Sequence, residues 1–100
     1  MGFIPEGHTL FVIDIEYTVE MEAVAPHLDA HMAFVAKGYE DGLFLASGAK
    51  VPRTGGVIIA QGASRSAVEA LMAEDPFSKA GIVQLTITEF VGRNLADVLK

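Results

Sequence analysis

One hundred residues with 51% hydrophobic, 20% charged and 8% aromatic side chains fit one compact soluble domain and exclude a two-domain enzyme. Seven Lys plus Arg against thirteen Asp plus Glu give a net charge of −6, and an acidic chain with scattered cations is a poor partner for nucleic acid or an anionic membrane. Cysteine is absent, which removes disulfides, thiolate nucleophiles, iron–sulfur clusters and thiolate zinc sites together and is compatible with the expected cytoplasmic location.

The opening stretch MGFIPEGHTLFVI has no basic leader, and Asp14, Glu16 and Glu20 soon interrupt its apolar run, so neither a signal peptide nor a membrane span is expected. From Leu10 to Tyr17 the chain alternates: Phe11, Ile13, Ile15 and Tyr17 share one face, while Leu10, Val12, Asp14 and Glu16 share the other. That period predicts a strand. Thr18 to Ala25 carries no clean period. Pro26 suits the first turn of a helix, where its missing N–H costs nothing. Leu28, His31, Met32, Val35 and Tyr39, with Phe34 nearby, then recur at helical steps and predict a helix from Pro26 to about Asp41, stopped by Gly42.

Leu43 to Ala46 reads as a short buried strand ending at Ser47-Gly48, and Lys50 to Gly56 reads as a connection. Val57 to Ala60 is apolar on both faces, as a central strand would be. Ser64 can cap a helix striped by Val68, Leu71 and Met72 and limited by Pro76. Gly81 to Val91 alternates again, and Leu95, Val98 and Leu99 could form a short terminal helix.

Strand, helix, strand, strand, helix, strand is the split βαβ order of a ferredoxin-like α+β sandwich, with both helices on one face of an antiparallel sheet. The expected domain spans residues 1–100, with its core at about 10–91 and a short C-terminal extension. On the other sheet face Leu10, Val12 and the second apolar side of the middle strands would be exposed in a monomer, so a homodimer is expected.

Neither glycine-rich phosphate motif occurs, so Gly55, Gly56 and Gly62 are read as turns rather than a nucleotide cradle. His27 and His31 stand one helical turn apart, a spacing that can hold a divalent metal, but Asp29 and Asp41 do not clearly share their face. No metal is therefore assigned. His31 lies inside the apolar stripe, where it is either a core-edge histidine bonded to a backbone carbonyl or a base oriented by a carboxylate. Asp75 is the candidate carboxylate, with a turn or cap before Pro76 as its plain alternative. Ser47, Gly48 and Arg53 form a second group. Ser47 can donate to a bound oxyanion or close a turn, and Arg53 can pair with a substrate carboxylate or phenolate or face water. A Ser47–His31–Asp75 triad is formally available, though the G-x-S-x-G elbow is missing.

The string HMAFVAKGYEDGLFLASG from His31 to Gly48, then PRTGGVIIA, then DPFSKAG from Asp75 and a last strand ending ITEF, resembles the YCII-related family over roughly residues 10–91. The resemblance implies a dimeric ferredoxin-like α+β protein of the α+β barrel type. It also implies a His–Asp pair in a cleft near the dimer interface, carried over to His31 and Asp75, with Ser47 beside it. The spacing to Gly42 matches His31 to the family histidine rather than His27. Where the family usually has Ser-Gly-Pro, this chain reads Ser47-Gly48-Ala49 and proline comes at Pro52.

One characterised branch of that family eliminates hydrogen chloride from a chlorinated hydroxyhydroquinone with its histidine and aspartate. The resemblance thus implies a lyase or isomerase that needs no cofactor and acts on a small, aromatic or acidic compound. The alternative is a non-catalytic module that keeps the same cleft to bind a small ligand or a protein.

Overall fold

The computed structural model describes residues 3–100. Alternation makes β1 (Thr9–Tyr17) the spine of the sheet, because both its edges are paired. β3 (Gly55–Gly62) runs antiparallel along one edge and β4 (Val83–Phe90) along the other, while β2 (Phe44–Ala49) pairs with β3. The strand order is β2-β3-β1-β4. With helices between β1 and β2 and between β3 and β4, this matches a ferredoxin-like α+β fold.

Register places Ile13 opposite Ile58 on one side and Ile87 on the other. Phe11, Ile13 and Ile15 on this face are sealed by Val24, Val35, Val68, Met72 and Phe77 from the helical layer. Fully burying each large side chain contributes about 1.5–3 kcal/mol, and this layer is the core that the site rests on.

Three elements lie between β1 and β2: a one-turn helix α1 (Met21–Val24), a 3₁₀ turn (Ala25–His27), and α2 (Leu28–Glu40). Pro26 thus belongs to the turn that leads into α2, not to α2 itself. Helical rotation of about 100° per residue explains a second correction. Val35 and Gly38 are buried and Leu28, His31 and Phe34 half-buried, which puts Met32 and Tyr39 on the flank at 55% and 42% exposure. Gly42 ends the helix with φ of 76°, a left-handed conformation that glycine adopts without Cβ strain.

β2 was expected to stop at Ala46 and instead runs through Ala49, with a bulge between Phe44 and Ala46. Residues Ser47, Gly48 and Ala49 have little intrinsic strand preference, and pairing with β3 holds them extended. After β3, the Ser64 hydroxyl accepts the Ala67 N–H at 3.1 Å and starts α3 (Arg65–Met72) as the capping pattern predicts. A one-turn helix α4 (Pro76–Lys79) follows, with Asp75 as its N-cap.

The expected terminal helix is reduced to a 3₁₀ turn at Asp97–Leu99. The tail does other work: the Gly92 backbone lies against the Leu10 and Leu95 side chains. Leu10 is consequently buried by its own chain, contrary to the expectation from the strand pattern, while Val12, Val57 and Ile59 on the same open face are half-buried. Among the described residues no helix is long and apolar enough to cross a membrane.

Candidate active site

α2 carries His31 inward beside Val35, and the turn between α3 and α4 delivers Asp75 to the same spot from 44 positions away. The imidazole Nδ1 lies 2.9 Å from Asp75 Oδ1. The same Oδ1 accepts the Phe77 backbone N–H at 3.0 Å. Asp75 therefore caps α4 and orients His31 at once, and the backbone-carbonyl reading of His31 is replaced by a carboxylate contact. Asp75 is fully buried, its Oδ2 has no hydrogen-bond partner among the described residues, and the His31 side chain is 12% exposed. An ionised carboxylate only accepts, so the neutral imidazole carries its proton on Nδ1 and its lone pair on Nε2.

His31 forms part of the wall of a cavity of about 210 Å³ between the helical layer and the β2–β3 half of the sheet. Leu28, Val35 and Phe77 make its apolar side. Ser47 and Gly48 line it from β2, and Arg53 from the β2–β3 connection. Ser47 pairs with Ile58, a residue of the helix-side face, which explains why its hydroxyl is turned toward the cavity rather than the open face. That hydroxyl lies 2.7 Å from the Tyr39 OH. Arg53 is exposed at the rim and enters no ion pair among the described residues. Four of the five candidate residues thus line one cavity, and Asp75 stands behind the His31 imidazole, fully buried.

Other sequence candidates do not assemble. Ser47 bonds Tyr39 rather than His31, so the triad contact is not made. Among the described residues no group of three or more His, Cys, Asp or Glu side chains gathers around His27 and His31. Gly55 and Gly56 are strand residues paired with Glu16 and Ile15.

The model of the YCII-related domain matches residues 8–91. The chain belongs to the YCII-related family. Among solved structures, this YCII-related chain is similar to a 5-chloro-2-hydroxyhydroquinone dehydrochlorinase from Burkholderia phenoliruptrix AC1100, in complex with 2,5-dihydroxybenzoquinone. The TM-score is 0.71 at 20% identity, over 81% of this chain and 92% of that one. No curated protein matches it in sequence.

Sequence reasoning singled out neither Phe77 nor Tyr39 as a site residue. The Phe77 ring stacks on His31 with centroids 3.9 Å apart, and Tyr17 meets Phe77 edge-on. Phe77 had a signal, since it stands in the Asp-Pro-Phe string of this YCII-related chain. Tyr39 had none, because it looked like one more member of the apolar stripe.

Proposed function

We propose that His31 and Asp75 form an acid–base pair, and that this YCII-related protein is a lyase or isomerase acting without a cofactor on a small ring bearing acidic hydroxyl groups. The observation that carries this is the 2.9 Å contact between a fully buried Asp75 and a histidine on the cavity wall. It leaves Nε2, the basic nitrogen, without a hydrogen-bond partner among the described residues and available to a ligand.

In the reaction, Nε2 takes a phenolic proton and the O–H electron pair becomes part of a C=O bond. The displaced ring electrons capture a proton at a ring carbon, as in an isomerisation; where that carbon bears the leaving group, loss of the proton of a second ring hydroxyl then expels the group with its bonding pair, as in an elimination. Asp75 balances the imidazolium charge in a place without water. Ser47, the Gly48 backbone beside it, and the Arg53 guanidinium support the charge that develops on a second ligand oxygen.

Cavity size supports a one-ring ligand, because about 210 Å³ falls below the roughly 300–1,000 Å³ of sites for drug-sized molecules. The likeness to a dehydrochlorinase of a chlorinated hydroxyhydroquinone supports the same class. The working unit is proposed to be a cytoplasmic homodimer, with nucleic acid and membranes excluded as partners by the acidic charge.

The test is to offer chlorinated and unchlorinated hydroxyhydroquinones and follow absorbance and chloride release. His31→Ala and Asp75→Asn should each lower turnover by about 10²-fold or more, and wild-type turnover in either variant would sink the mechanism. Saturable binding with no conversion of any ring would make the cleft a recognition pocket instead.

A further inference from the structure

We propose that Tyr39 is a positioning residue of the cavity: its phenol fixes the Ser47 hydroxyl as a hydrogen-bond donor to a ligand oxygen. The proposal rests on the acid–base reading above and narrows its substrate class. The ligand needs two oxygens of opposite character, a hydroxyl whose proton goes to His31 and a carbonyl or oxyanion that accepts from Ser47.

Three observations converge on Tyr39. Its OH stands 2.7 Å from Ser47 Oγ, and Ser47 lines the cavity. The ring lies edge-on to Phe44, with centroids 6.1 Å apart and planes at 90°. Phe44 in turn presses directly on α2 at Gly38, where an added Cβ would come within 2.2 Å of the Phe44 ring. A buried ring thus braces the flank of Tyr39, and the phenol is held at the end of β2 although it is 42% exposed.

Direction follows from acidity. A phenol is a stronger acid than an alcohol, so Tyr39 donates and Ser47 accepts. A serine hydroxyl has one proton and two lone pairs, and accepting from Tyr39 leaves that proton for the cavity. The two O–H groups then polarise in series, which makes Ser47 a better donor than an isolated serine.

The probe is 2,5-dihydroxybenzoquinone, titrated into wild type, Tyr39→Phe, Ser47→Ala, the double variant and His31→Ala. Tyr39→Phe keeps the ring against Phe44 and removes only the hydroxyl. It should weaken binding about threefold to tenfold with an unchanged melting temperature. Ser47→Ala should weaken it at least as much, and the double variant no more than Ser47→Ala alone. If the probe binds and responds to His31→Ala and Ser47→Ala but not to Tyr39→Phe, or if the two losses simply add, the role of Tyr39 is overturned and the site stands. Failure of wild type to bind overturns the cavity reading, and the Tyr39 proposal with it.

Discussion

The His31 imidazole lies flat on the Phe77 ring, 5° from parallel with centroids 3.9 Å apart. Phe77 follows Asp75 by two residues, so one short segment supplies both the carboxylate that bonds Nδ1 and the surface that holds the imidazole plane. Two constraints on one ring leave it little freedom to turn, and a fixed plane keeps Nε2 aimed at the cavity.

Replacing Phe77 with Leu keeps an apolar filling but removes the flat face. Phe77 is 2% exposed, so urea denaturation should show a loss of about 1–3 kcal/mol. Turnover, corrected for the folded fraction, should fall by roughly tenfold to a hundredfold because the imidazole is misplaced. Equal turnover per folded molecule would reduce Phe77 to packing.

Asp75 should set the His31 tautomer. With the carboxylate at 2.9 Å, the ¹⁵N spectrum at alkaline pH should show His31 protonated at Nδ1, whereas Asp75→Ala should move it toward the Nε2–H form. The same variant removes the acceptor of the Phe77 N–H, and stability should drop by about 1–3 kcal/mol. An unchanged ¹⁵N pattern would separate the two residues.

What could be read without coordinates follows the physics of each element. β1 was legible because Phe11, Ile13, Ile15 and Tyr17 repeat with the strand period, and pairing on both edges confirms the face that they define. Of β2 only the first half was, since Ser47, Gly48 and Ala49 are extended only by their partner strand. The α2 stripe was read too wide because Met32 and Tyr39 lie one flank away from the buried line. Leu10 was misjudged because its cover comes from the backbone at Gly92, in a tail whose Leu95, Val98 and Leu99 pointed to a helix rather than to contact with the sheet. The His31–Asp75 meeting required the topology, with the motif string as its only local hint. No pattern in the sequence ties Tyr39 to Ser47.

Gly38 tests the brace behind that last pair. In an exposed helix, Gly→Ala would stabilise by about 1 kcal/mol. Here the new methyl would sit 2.2 Å from Phe44 atoms, and forcing the ring aside costs about 1–3 kcal/mol. Gly38→Ala should therefore lower the melting temperature, and a stabilised variant would show that α2 and β2 have slack between them.

The open sheet face offers the last test. Val12, Val57 and Ile59 are half-buried there, and Ala46 and Gly48 beside them are exposed and small. The tail backbone at Gly92 lies against Leu10 at one end of this face. A second copy packed on it would bury the patch from both sides, and its small residues would let the two sheets approach closely. Ile59 pairs with Val12 near the middle of the face, so Ile59→Lys would place an ammonium group in each half of that interface, where its cross-strand neighbours are Val12 and Ala46 and the diagonal Asp14 carboxylate already pairs with Lys50. Sedimentation should give a dimer mass for wild type and a monomer mass for the variant. A variant that stays dimeric while folded would move the interface away from this face.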